Sequence, residues 1–171
     1  MVETRTDAAA QQKVWDMIRD VEIAMMVTMD EEGRFRGRPM RAVKQEFDGV
    51  IWFFTKDHTP KIEEVEEDER TLLSYADPHK QNYVSISGHV QVVRDAAKQK
   101  ELWSEPLRVW FPGGPEAPEV ALMKVTVDGA EYWDSPSSTF VHAYGYIKSV
   151  ATGKPPSSGE NKKVDFTKAA G

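Results

Sequence analysis

The chain contains no cysteine, which excludes disulfides, thiolate metal sites, iron–sulfur clusters and thiol redox chemistry together. Any redox role must therefore use a borrowed cofactor. Long apolar runs are missing as well: no stretch approaches the roughly 18 to 20 apolar residues that cross a bilayer. The opening MVETRTDAAAQQ has no apolar segment behind a charged start, so the expectation is a soluble, cytoplasmic protein without a membrane partner. A basic excess is lacking too, with 22 Lys plus Arg against 28 Asp plus Glu and a net charge of −6, which argues against a nucleic-acid binder built on a broad basic face. Histidine is scarce, and His58, His79, His89 and His142 show neither H-x-x-x-H nor H-E-x-x-H spacing, so no metal site is expected. No G-x-S-x-G elbow, Walker loop or G-x-G-x-x-G fingerprint occurs, and Gly113-Gly114, between prolines, reads as a plain turn.

What is present fits one globular domain: 171 residues, 40% hydrophobic and 10% aromatic, enough for a single sizeable core. Composition divides the chain into a flexible N-terminus (1–10), a domain (11–153) and a polar C-terminal tail (154–171). Val14, Trp15, Ile18 and Val21 recur at helical spacing behind Thr6 or Asp7 as a cap, predicting an amphipathic helix that acts as a lid. Strand-like segments follow: IAMMVTMD, RFRGRPMRAVKQ and VIWFFT, then TLLSYAD, NYVSISGHVQVV and VALMKVTVDGAEYWD. Asp48-Gly49 between two of them is a strong hairpin signal, because both residues tolerate positive φ. Short helices are expected at PKIEEVEEDER, with Thr59 as cap and Pro60 at the first position, at DAAKQKELW behind Asp95, and from Phe140 to Ala151. Strands joined by short turns favour a closed antiparallel barrel over a doubly wound sheet. The expected fold is therefore mainly β, a six-stranded antiparallel barrel with peripheral helices.

One constellation carries chemistry. Arg38-Pro39-Met40-Arg41 lies on the second strand, Phe53-Phe54-Thr55 on the third, and Thr59 and Lys61 open the acidic helix. Helix N-termini present free N–H groups and partial positive charge, so a hydroxyl and a lysine there, approached by arginines, form a phosphate cradle in a net-acidic protein. The plain alternative has Lys61 paired with Glu63 or Glu64 and the arginines decorating an edge. The run Glu63, Glu64, Glu66, Glu67, Asp68, Glu69 reads as a solvated face. Trp52, Phe53, Phe54, Trp103, Trp110, Phe111, Tyr132 and Trp133 exceed what one barrel interior conveniently holds, and Trp110 lies in a loop where a ring could cover a flat ligand.

In their order, R-P-M-R, W-F-F-T, T-P-K-I, N-Y-V-S-I-S-G, W-F-P-G-G and E-Y-W-D resemble the general stress protein 26 branch of the pyridoxamine-phosphate-oxidase-like flavin-binding split barrels, over about residues 10 to 155. The resemblance implies a homodimer of six-stranded split barrels with two FMN molecules, or FAD in their place, in grooves between the subunits. It implies that Arg38, Pro39 and Met40 line the flavin, that Phe54 and Thr55 meet its ring system and phosphate end, and that Thr59 with Lys61 takes the phosphate. Tyr83, Val84 and Ser85 would come from the partner chain, and Trp110 would pack near the ring edge. Two departures stand out. The oxidases usually place an arginine before the phosphate lysine, where this chain has Pro60, so its bond to the phosphate is either missing or made by Arg38 or Arg41. Their substrate-holding tryptophan and arginine pair is not reproduced, since Tyr132-Trp133-Asp134 runs into Ser-Pro-Ser-Ser, which argues against vitamin B6 oxidation. The implied function is a flavin-binding stress-response protein, a flavin-dependent oxidoreductase using hydride transfer. Its rivals are a haem or deazaflavin enzyme on the same barrel, with one of the four histidines as the haem ligand, and a non-catalytic dimeric carrier, sensor or scaffold.

Overall fold

A computed structural model describes residues 4–43, 45–134, 150 and 160–167. In chain order the elements are β1 (Thr4–Arg5), α1 (Ala8–Ile18), β2 (Ile23–Met29), β3 (Phe35–Arg41), β4 (Val50–Lys56), α2 (Pro60–Glu67), β5 (Arg70–Asp77), β6 (Asn82–Val93), α3 (Ala96–Leu102), a 3₁₀ turn (Glu105–Val109), β7 (Val120–Asp134) and β8 (Glu160–Asp165). Hydrogen bonding runs β1-β8-β7-β6-β5-β2-β3, with β4 paired to the first half of β7. Six strands, β2 to β7, make an antiparallel barrel whose last join, between β3 and β4, is, among the described residues, the single bridge Ala42–Phe53.

That join departs from the sequence expectation. Asp48-Gly49 does turn, with Gly49 at φ 91°, but β3 and β4 diverge from it instead of forming a full hairpin. β4 is recruited by β7 over seven consecutive pairs, from Val50–Thr126 to Lys56–Val120. Turn chemistry fixes a local reversal, whereas pairing goes to the strand that buries more: Ile51 and Phe53 enter the barrel core beside Met123 and Val125. The result is a split barrel.

Alternation along each strand builds the interior. Ala24 and Met26 of β2, Leu73 of β5, Ile86 and Val90 of β6 and Tyr132 of β7 are all essentially inaccessible; burying each large side chain contributes roughly 1.5–3 kcal/mol. α1 starts at Asp7, whose carboxylate accepts from the Ala10 N–H at 2.9 Å, and turns Ala10, Val14 and Ile18 into the same core. α2 packs against β2 and β6 and inserts Ile62 and Val65 into that core. The surplus aromatics form a second layer on the other face of β4 and β7. There Trp52, Phe54, Phe111 and Leu122 pack under Trp103 and Leu107.

Parts of both terminal segments carry strands of the sheet. Residues 160–165 extend the sheet as β8, antiparallel to β7 from Gly129 to Asp134, and Thr4–Arg5 pairs parallel to β8. Val164 is buried, Phe166 meets Phe47 edge-on at 5.5 Å between centroids, and Lys13 of α1 reaches both Asp134 at 2.8 Å and Glu160 at 2.6 Å. A strand on an existing edge needs few apolar residues, because the neighbour supplies the ladder. The helix expected from Phe140 to Ala151 falls almost wholly outside the described residues.

Candidate functional site

The split is where backbone and charge are left open. β3 ends the sheet order, so its far edge from Phe35 to Arg41 has no strand beside it among the described residues. Pro39, which has no N–H to offer a ladder, is tolerated on such an edge. Across the gap, β4 ends in a turn through Asp57 and His58, the latter at φ 54°, a left-handed conformation that histidine adopts only when held. The hold is visible: Arg94 donates to the buried Asp57 carboxylate at 2.6 and 2.8 Å, and the His58 N–H donates to it at 2.9 Å. These bonds, the Arg94 guanidinium foremost, keep the Asp57 carboxyl below the usual carboxylate range. The turn delivers Thr59 to the N-cap position of α2 and Pro60 to its first turn.

Here the helix end stays unsatisfied. The Thr59 hydroxyl gives α2 no cap and instead donates to the Lys56 carbonyl at 3.2 Å. Among the described residues the Lys61 N–H has no acceptor and its ammonium no carboxylate within ion-pair distance; the nearest polar contact is the Met40 sulfur at 3.8 Å. Burial, together with the neighbouring Arg38 charge, lowers the Lys61 ammonium below the ordinary lysine value, opposed only by Glu64. A half-buried, unpaired cation at a helix N-terminus beside an open strand edge is an arrangement suited to an anion.

The arginines behave differently. Arg38 donates to Glu64 at 2.6 Å and to the Thr28 hydroxyl at 3.1 Å, while Thr28 itself donates to the same Glu64 oxygen at 2.6 Å. Arg41 is tied to Glu22. By sequence, Lys61 stands either in a phosphate cradle approached by the arginines or paired with Glu63 or Glu64 while the arginines decorate an edge; in the fold the carboxylates go to the arginines. Both arginines are thus paired with carboxylates.

The expected residues divide into four groups. Arg38, Met40, Thr59 and Lys61 come together around the α2 end, with Thr55 buried at the end of β4. The Phe54 ring is taken up by packing, edge-on to Trp103 at 5.6 Å and tilted to Phe111 at 6.0 Å. Trp110 is 67% exposed and, with Arg41, Val43, Trp103, Leu107 and Val109, lines a groove of about 840 Å³. Tyr83 and Ser85 lie on the outer sheet face, and Val84 points into the core. Register places Ser85 beside Ser74, Ser74 beside Met25 and Met25 beside Pro39, three strand spacings or roughly 14 Å. One copy therefore does not bring Tyr83 to Ser85 to the site that Arg38 and Lys61 form.

The comparisons with known proteins agree with this architecture. A family model described as pyridoxamine 5'-phosphate oxidase like matches residues 9–157. The chain belongs to that family. Among curated relatives, protein bli-3 of Neurospora crassa is 24% identical over 172 residues, covering 93% of this chain and 82% of that protein. A crystal structure described as a general stress protein 26 from Jannaschia sp. CCS1 superposes with a TM-score of 0.73 at 25% identity, covering 94% of this chain and all of the other. The general stress FMN/FAD binding protein of Xanthomonas citri superposes with a TM-score of 0.67 at 28% identity, covering 77% of this chain and 93% of the other.

Within this pyridoxamine 5'-phosphate oxidase like chain, three polar residues at the site escaped sequence reasoning, Thr28, Asp57 and Arg94, and Glu64 was read only as a partner for Lys61 or as part of a solvated face. Glu64 was hidden in a run whose other members Glu63, Glu67 and Glu69 are indeed exposed. Thr28 did carry a signal, a hydroxyl on the inward phase of β2 behind Ala24 and Met26, since a buried hydroxyl needs a partner. Arg94 and Asp57, 37 positions apart, meet only through the fold.

Proposed function

We propose that this protein binds a flavin nucleotide, FMN or FAD, with the ligand's phosphate at the N-terminus of α2. The observation that carries the reading is Lys61, a half-buried ammonium with an adjacent free N–H and no carboxylate partner among the described residues. The name of the Xanthomonas citri protein, an FMN/FAD binder, supports it. Lys61 and its N–H would hold the phosphate, with the Thr59 hydroxyl beside them. The open edge of β3 offers the Pro39 carbonyl to a heterocycle as an acceptor, and the groove beyond Arg41 offers tryptophan faces to an apolar ring. A bound flavin supplies hydride transfer of its own. The chain contributes binding, exclusion of water and fixed charge, and no described side chain stands out as a proton donor or acceptor for catalysis. A haem reading finds no support among the described histidines: His58 and His79 are exposed and His89 bonds Asp128 at 2.7 Å.

The reading includes a homodimer. Ile23, Met25, Phe35, Leu72, Tyr83 and Trp133 are all exposed large apolar residues, and the registers of β3, β2, β5, β6 and β7 place them on one continuous outer face. A face of that kind marks an association surface, and a second copy seated there would bring its own Tyr83 and Ser85 toward the Pro39 edge. Two measurements test the function. Equilibrium dialysis against riboflavin, FMN and FAD should show one flavin per chain, and sedimentation at micromolar concentration should show a dimer; protein that retains no flavin contradicts the first, and a monomer the second.

A further inference from the structure

We propose that Glu64 sets the charge of the phosphate site, so that it favours a flavin joined through phosphodiester-type phosphates, with one negative charge per phosphorus, over one ending in a phosphomonoester. The inference rests on the flavin reading above and sharpens it. Glu63, also in the first turn of α2, is exposed to solvent, and three ionisable groups interact beneath it. Arg38 is held by Glu64 at 2.6 Å, Lys61 lies within electrostatic reach of both, and the three sum to a single positive charge. Glu64 is not a loose surface carboxylate. Its side chain is 12% exposed, and the same oxygen accepts from Arg38 and from the Thr28 hydroxyl, each at 2.6 Å. Thr28 is itself buried within β2, so releasing Glu64 would strand a buried hydroxyl and a partly buried guanidinium.

Other cations in the neighbourhood do not change the sum. Arg41 is engaged by Glu22, Arg94 by Asp57 and Glu66, and Lys56 at the end of β4 faces solvent. A terminal phosphate brings about −1.5 to −2 at neutral pH, leaving excess negative charge facing the fixed Glu64 carboxylate. Each phosphorus of a dinucleotide diphosphate brings only one charge, which Lys61 matches, and its second phosphate can sit further out in water. Glu64 is thus a specificity-determining residue that acts through charge.

Equilibrium dialysis of wild-type protein, Glu64→Gln and Glu64→Asp against riboflavin, FMN and FAD tests the proposal. Wild type is expected to hold FAD at least as tightly as FMN. Glu64→Gln, which keeps size and hydrogen-bonding oxygen but removes the charge, should tighten FMN relative to FAD about fivefold or more and leave riboflavin within about twofold. Glu64→Asp should keep the wild-type ratio. Wild type preferring FMN by about tenfold would overturn the proposal even if the Gln variant failed to fold. So would a Gln variant that shifts all three ligands alike. Wild-type protein that binds none of the three removes the flavin reading and this proposal with it, an outcome distinct from binding without charge selection.

Discussion

The two flanks of the barrel are built differently. On one, β6 and β7 pair without interruption over twelve residue pairs from Asn82–Asp134 to Val93–Leu122, bent only by a register shift at Ser87/Gly88. On the other, β3 and β4 meet, among the described residues, at the single Ala42–Phe53 bridge. The first flank places nearly every inward side chain in the core. The second leaves a strand edge, a strained His58 and a lysine ammonium without a carboxylate partner among the described residues side by side. Packing and the proposed ligand chemistry are thereby separated: the closed flank holds the core, and the open one holds the groups proposed to meet the phosphate.

Substitutions on the closed flank should be costly and leave ligand preference alone. Ile86→Ala, at an inaccessible position, should lower unfolding free energy by about 2–5 kcal/mol in urea denaturation. Gly88→Ala should cost about 1–3 kcal/mol, because an added methyl would run into the Thr126 carbonyl oxygen. At the seam the effects are smaller and tied to the site. Arg94→Ala removes the hold on the His58 turn; with Arg94 about half exposed the loss should be about 1–2 kcal/mol, together with weaker binding of phosphorylated flavins than of riboflavin.

The Asp57 pair has a pH signature. Its folded pKa lies below the ordinary value of 3.8, so its stabilising contribution is complete above the unfolded value and is lost as pH falls through the folded one. Asp57→Asn should therefore flatten the fall in stability below about pH 4. Equal acid slopes for the two proteins would contradict that assignment. The smallest effect belongs to the solvated side of α2. Glu67→Gln should stay within about 0.5 kcal/mol of wild type and leave every flavin affinity unchanged.

The closed flank was legible in the sequence because alternation is local. NYVSISGHVQVV and VALMKVTVDGAEYWD are strands β6 and β7 as their patterns require. The α3 cap was equally plain, Asp95 accepting from the Ala97 and Lys98 N–H groups, while for α1 the sequence offered Thr6 or Asp7 and the fold uses Asp7. The seam was not, because Asp48-Gly49 announces a reversal without saying which strand wins β4. At the site, residue types on a helix end pointed to Thr59 and Lys61. The distribution of charge among Arg38, Glu64 and Lys61 depends on strand register and on where α2 lies, which composition does not encode. β8 escaped because Val164 and Phe166 are all the apolar content that residues 160–167 supply.

Lys61 is the point on which the account turns. Flavin titrations of wild-type protein and Lys61→Ala, followed by quenching of flavin fluorescence, should show FMN binding weakened about 10- to 100-fold, since a charge-assisted hydrogen bond worth about 1.5–3 kcal/mol is removed. Riboflavin should stay within about twofold, and thermal stability should hold, since the ammonium removed has no carboxylate partner among the described residues. Equal weakening of riboflavin and FMN, or no weakening of either, would place the phosphate elsewhere and contradict the account.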